Sequence, residues 1–186
     1  KFAPYLDVMI RSIAANASAD RKYDIIILYN DISEKNRGLI SWAAKAYENI
    51  SIRFIRVCEY FDADKLFVDQ HLSVETYYRL IIPEIMPGYH KILYLDCDMV
   101  VNHDVAELYD MDLQGCIIGA AKDIDVAGQV NLKQNDWGKY AVEQLGLDKP
   151  FDYFQAGVLI LDLDKLRQTA SSEEMIQMAL NHSYRC

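Results

Sequence analysis

A chain of 186 residues, 52% hydrophobic and 25% charged, is long enough for one domain with a sizeable core and has the make-up of an ordinary soluble globular protein. Its formal net charge of -9 leaves no basic patch for phosphate backbones, which argues against nucleic acid and anionic membrane surfaces as partners and favours a cation or a metal-bound ligand. No apolar stretch approaches the roughly 20 residues of a membrane span, and Cys58, Cys97, Cys116 and Cys186 show neither a CxxC pair nor zinc-ligand spacing, so free thiols in a reducing, cytoplasmic setting are expected.

Residues 4 to 16 place Tyr5, Val8, Met9, Ile13 and Ala14 near helical spacing, and "YDIIILYN" (23 to 30) is a short apolar run ending in turn residues. Ser33 and Glu34 open a second predicted helix through about Tyr47. "ISIRFIRV" (50 to 57) alternates with period two, the mark of a strand with one less-buried face. Ser73 is placed to cap a helix through Tyr77 and Leu80 that Pro83 and the "MPGY" turn interrupt. Strands are then predicted at "KILYLDCDMVV" (91 to 101), "CIIGAA" (116 to 121) and "AGVLILDL" (156 to 163), with helices at 135 to 145, from Lys165, and again after Ser171 and Ser172. Strands separated by helix-length segments imply a mostly parallel central sheet flanked by helices, an α/β fold that binds ligands beyond the carboxyl ends of its strands.

Five D-x-D pairs occur among 19 aspartates, where chance gives about two, so context has to choose between them. Asp162 and Asp164 sit where a strand hands over to a helix, which suits Asp164 as an N-cap. Only Asp96 and Asp98 have apolar residues on both sides, Ile92 to Leu95 before and Met99 to Val101 after. Ionised carboxylates are costly to take out of water without a partner. In an extended segment the i, i+2 spacing points both to one side, where they suit Mg²⁺ or Mn²⁺ with substrate phosphates completing the shell. The competing reading has both accepting loop N–H groups in a buried turn.

Two enzyme classes use such a pair. A haloacid-dehalogenase-type phosphatase also carries a hydrophobic strand followed by D-x-D-x-[TV], but its motif lies near the start of its core and is followed by a lysine and a late acidic pair. Here about 90 residues precede the pair and no convincing late acidic pair follows. The segments "HLSVETYYRLIIPEIMPGYHKILYLDCDMVV", "DVAELYDMDL" and "YFQAGVLILDLDKLR", in this order and spacing, closely resemble glycosyltransferase family 8, which includes lipopolysaccharide galactosyltransferases and glycogenin.

The resemblance covers nearly the whole chain as a single donor-binding domain. It implies a GT-A fold of the nucleotide-diphospho-sugar transferase type, a UDP-hexose donor (glucose or galactose), Mn²⁺ or Mg²⁺, and retention of anomeric configuration. It implies Asp96 and Asp98 as metal ligands, Arg79 over the donor, Asp123 as a carboxylate contacting the sugar, and Gln155, Ala156 and Gly157 in place of a segment usually written Asn-Ala-Gly. Phe2 falls where the family often stacks an aromatic on uracil. The competing readings are an i, i+4 pair of Glu75 with Arg79, a solvated loop acid at Asp123 and ordinary packing at Phe2.

The family begins one strand earlier, and further on it carries a D-Q-D segment and a metal-binding histidine in an H-x-x-G-x-K-P-W-like motif, none of which occurs here. The chain therefore reads as a fragment, with the first strand and the C-terminal part apparently missing. The acceptor is a saccharide, a lipid-linked sugar or a protein. A third reading is a non-catalytic fragment that merely folds or forms a homo-oligomer through the sheet edge such a truncation leaves open.

Overall fold

The computed structural model describes residues 2–60, 74–132 and 136–181. Helix α1 (Ala3–Asn16) carries Pro4 in its first turn and turns Leu6, Met9, Ile10, Ile13 and Ala14 inward at helical spacing. Strand β1 (Tyr23–Tyr29) and strand β2 (Ile50–Arg56) pair in parallel, from Tyr23 against Ile50 to Tyr29 against Arg56. Helix α2 (Glu34–Ala43) crosses between them and is capped by Ser33 Oγ, which accepts from Asn36 N at 3.3 Å. It ends at Ala43, short of the expected Tyr47.

β1 is apolar from Ile25 to Leu28 because both its faces are covered there. Ile25 and Ile27 pack with Leu6, Ile10 and Ile40 of α1 and α2, whereas Ile26 and Leu28 pack into a second cluster built around Ile82 and Leu161. β2 alternates because Ser51 and Arg53 face solvent.

The second half departs from the expected parallel arrangement. β3 (Lys91–Leu95), β4 (Ile118–Lys122) and β5 (Phe154–Asp162) form a sheet in the order β3-β5-β4, and β5 runs antiparallel to both neighbours. Element spacing cannot fix this, since the segment from β3 to β4 holds only the four-residue helix α4 (Ala106–Tyr109), and β5 then inserts between two strands already laid down in one direction. The α/β class holds, and parallel pairing holds for β1 and β2.

Helix α3 (Tyr78–Ile85) follows a 3₁₀ turn at Val74–Tyr77 and runs through Pro83 rather than stopping there; Ser73, the expected cap, lies outside the described residues. The end of α3 is tied down from a distance. Arg167 in α7 (Leu163–Thr169) donates to the carbonyls of Pro83 (2.8 Å), Met86 (2.7 Å) and Tyr89 (3.0 Å), supplying donors to carbonyls at and just beyond a helix terminus. The N-cap of α7 is Asp162, which accepts from Lys165 N at 3.0 Å, and not Asp164, which pairs with Arg167 and His90.

Helix α8 (Ser172–Asn181) packs against α3. Helix α6 (Trp137–Glu143) matches its expected position. Helix α5 (Ile124–Asn131) was not expected; Asp123 as its cap, with apolar residues at 124, 126, 127 and 130, was the available signal.

Candidate active site

β3 ends at Leu95, so Asp96, Cys97 and Asp98 lie in the turn beyond it and not in an extended strand. Asp96 keeps one ladder bond, its N–H donating to Gly157 O at 2.8 Å. Cys97 points away and packs against the α1–α2 cluster, where burial first and the Asp98 carboxylate second push its thiol up. Further along, Val101 N donates to Ser12 Oγ and Val101 O accepts from Asn16 Nδ2, both at 2.9 Å. Asp104 accepts from the Tyr23 hydroxyl (2.7 Å) and from Ser18 N (3.2 Å). Burial works against ionisation of Asp104, but the N–H of Ala106, the Tyr23 hydroxyl and Ser18 N outweigh it and hold the carboxyl below its usual range. The loop bearing the acidic pair is thereby stitched to α1 and β1.

Asp96 is held on one oxygen. Its Oδ1 accepts from the Tyr94 hydroxyl at 2.7 Å and lies 3.4 Å from Arg79 Nη2. Its Oδ2 has no hydrogen-bond partner among the described residues and lies 2.8 Å from where a Cβ on Gly157 would sit, a space only glycine leaves open. Asp98 is exposed and makes no hydrogen bond or ion pair among the described residues, so the competing reading of two carboxylates locked onto loop amides does not describe this turn.

Arg79 does not form the expected alternative pair with Glu75. Its guanidinium donates to Thr76 O at 2.9 Å and to Ala156 O, and stacks 4.8 Å from the centre of the Tyr94 ring. The Arg79 side chain is 15% exposed against 37% for Asp96, so the arginine sits behind the carboxylate. Burial first, then the bond to Asp96, pushes the Tyr94 hydroxyl up, against the pull of Arg79, which keeps it a donor. Tyr94 was not expected at the site, although its position two residues before Asp96 on a strand was the signal that would have placed it there.

The antiparallel course of β5 assembles the remaining residues. Leu95 opposes Val158 and Lys122 opposes Phe154, with a bulge between, so Gln155, Ala156 and Gly157 run between the carboxyl ends of β3 and β4. Gln155 Oε1 accepts from Gly157 N at 2.7 Å, which leaves the amide nitrogen of Gln155 free to donate elsewhere. Asp123, directly after β4, receives Val126 N on Oδ1 at 2.9 Å as the cap of α5 and donates its own N–H to Tyr153 O. Phe2, half-exposed at the start of α1, meets the Tyr5 ring at 6.3 Å. Its neighbour Ala3 packs against the same cluster as Cys97.

Among the described residues no group of three His, Cys, Asp or Glu side chains could hold a metal ion. The Asp96–Asp98 pair offers two hard oxygen donors, and the only thiol between them faces the core; that donor set suits an oxygen-seeking divalent cation that draws its other ligands from substrate and water.

The fold is of the GT-A glycosyltransferase type, as its likeness to solved structures shows. The apo structure of the bifunctional glycosyltransferase WbbM superposes with a TM-score of 0.80 at 29% identity, over 95% of this chain and 32% of that one. The galactosyltransferase LgtC, solved with donor and acceptor sugar analogues, gives 0.75 at 26% identity over 100% of this chain and 63% of that one. The model of glycosyl transferase family 8 matches residues 1–185, and the chain belongs to that family. A putative glycosyltransferase of Haemophilus influenzae is 29% identical over 182 residues, 97% of this chain and 50% of that protein. General stress protein A of Bacillus subtilis is 22% identical, with 97% and 59% covered. The chain thus spans between half and three-fifths of the length of these two relatives, and family membership removes the phosphatase reading.

Proposed function

We propose that this chain is the donor-binding part of a glycosyltransferase that moves a hexose, glucose or galactose, from a UDP-sugar to an acceptor with retention at the anomeric carbon. The observation that carries this reading is the gathering of Asp96, Asp123 and Gln155–Gly157 at adjoining strand ends. Asp96, through its free Oδ2, and Asp98 would hold Mn²⁺ or Mg²⁺. That cation, when bound, supplies Lewis-acid stabilisation of the charge on the departing diphosphate.

The chain's own groups then have separable tasks. Ala156 and Gly157 let the backbone come close to the hexose, because one carries only a methyl group and the other no side chain at all. The amide nitrogen of Gln155, which has no hydrogen-bond partner among the described residues, donates to sugar hydroxyls, and the Asp123 oxygen not engaged in capping accepts from them. Arg79, held behind Asp96, adds positive charge on the donor side. Phe2 offers a ring face for the uracil. In the net reaction one C–O bond forms from the anomeric carbon to the acceptor oxygen, the bond to the diphosphate breaks, and UDP and a proton are released.

The acceptor is a saccharide, a lipid-linked sugar or a protein, and a role in lipopolysaccharide biosynthesis is part of the proposal; the likeness to LgtC, a galactosyltransferase, supports galactose as the sugar moved. No helix among the described residues is long and apolar enough to cross a membrane, and a cytoplasmic site of action is part of the proposal.

Isothermal titration of the chain with UDP in the presence of Mn²⁺ tests the reading. Heat of binding that disappears in Asp96→Asn and Asp98→Asn is expected. Equal binding by both variants and the unaltered chain would refute it.

A further inference from the structure

This inference rests on the cation reading above and concerns a residue that reading leaves unused. The Tyr94 ring is fixed on three sides, by the core around Ile82 and Leu161, by its place in β3, and by the Arg79 guanidinium 4.8 Å from its centre. Its hydroxyl therefore has little choice of direction, and it meets Asp96 Oδ1 at 2.7 Å. A hydroxyl donating to a carboxylate is a charge-assisted bond, among the stronger ones a side chain makes. The opposite oxygen, Oδ2, lies over Gly157, in the space a Cβ would fill.

We propose that Tyr94 is a positioning residue that occupies Asp96 Oδ1, reserves Oδ2 for the cation, and so confines Asp96 to one-oxygen coordination. Presenting both oxygens to a single ion would bring it against Oδ1, which already receives the Tyr94 hydroxyl and faces the Arg79 guanidinium at 3.4 Å, two donors for the two lone pairs of that oxygen. Small octahedral cations such as Mg²⁺ and Mn²⁺ are satisfied by single carboxylate oxygens, whereas Ca²⁺ takes a larger shell that commonly includes both oxygens of one carboxylate. Tyr94 thus biases the site toward the smaller ions without touching them.

Tyr94→Phe is the test, because it removes the hydroxyl and keeps the ring beneath Arg79. Mn²⁺ and Ca²⁺ affinities are measured separately by titration of the unaltered chain and the variant with UDP present, alongside a thermal melt. Loss of an outer contact of this kind typically costs about ten- to a hundred-fold in metal affinity. The expectation is a Mn²⁺ loss in that range with Ca²⁺ affinity held or raised, so that the Mn²⁺/Ca²⁺ preference falls. A hydroxyl serving only the fold would lower the melting temperature and move both cations by one common factor. That result, or no change for either cation, overturns the role of Tyr94 and leaves the acidic pair standing. An unaltered chain that takes up no Mn²⁺ even with UDP removes the cation reading itself, and this inference with it.

Discussion

The two halves of the molecule solve different problems with similar residues. The β1–β2 half is a parallel pair whose faces are closed by α1 and α2 on one side and by the second cluster on the other, and its polar groups cap α2, pair across the strands and anchor the loop that follows β3. The β3-β5-β4 half brings Asp96 and Gln155 around Gly157 at the end of β3, with Asp123 at the end of β4. Between them runs the loop from Cys97 to Asp104, anchored on the first half while presenting the acidic turn to the second. One half supplies rigidity to the other's site, and substitutions should separate the two tasks.

The sharpest separation pairs two changes. Ile40, 1% exposed in the α1–α2 cluster, leaves a cavity when cut to alanine, and Ile40→Ala should lower unfolding free energy by about 2–5 kcal/mol in a denaturant titration. UDP affinity of the molecules that remain folded should change far less than stability, since Ile40 reaches the site only through the cluster on which Cys97 packs. Gly157→Ala should do the reverse. Its new Cβ would meet Asp96 Oδ2 at 2.8 Å, Gln155 Oε1 at 2.9 Å and Met99 Cε at 3.1 Å, all ends of flexible side chains that can move aside. The melting curve should stay close to that of the unaltered chain while transfer by an active form falls about a hundred-fold, the scale of a misplacement near 1 Å. If Gly157→Ala unfolds the protein instead, the division between scaffold and site is wrong.

A smaller effect is expected where the two tasks meet. Arg167→Met keeps the apolar stem but withdraws the donors from three carbonyls at and beyond the end of α3. A stability loss of about 1–3 kcal/mol is expected, with faster amide exchange concentrated at Met86 and Tyr89.

The smallest effect is a pH dependence. The Asp104 carboxyl is held below its ordinary value of 3.8, so the unfolded chain binds its proton first as pH falls. Its stabilising contribution is complete above about pH 5 and lost as pH drops through the folded value. The stability difference between the unaltered chain and Asp104→Asn should be flat at neutral pH and shrink below about pH 4.

Much of the architecture was legible in local pattern. β1, β2 and β5 fall within a few residues of their apolar runs, β3 starts at Lys91 as expected but stops at Leu95 where the aspartates begin, α1 follows its periodicity, α8 restarts at Ser172, and Ser33 caps α2 as its position indicates. Family membership, read from three quoted segments, also holds. Three expectations failed for physical reasons. Pro83 sits far enough inside α3 that Arg167 can serve the helix end beyond it. The cap of α7 fell to Asp162 because the strand turns into helix at Leu163. Helix α5 went unseen because "IDVAGQVN" carries β-branched residues and a glycine that weaken a helical pattern.

By itself the sequence determined the segments and the residues able to carry chemistry: an apolar strand followed by Asp96 and Asp98, a glycine at 157, an arginine one helix earlier. Only the tertiary structure decided that β5 runs against its neighbours, which carries Gln155–Gly157 to the same end of the sheet as Asp96 and Asp123 and leaves Tyr94 and Arg79 to fix one oxygen of Asp96. The reason is that periodicity records which side chains are covered, whereas strand direction follows from pairing with partners tens of residues away, a choice no local pattern encodes.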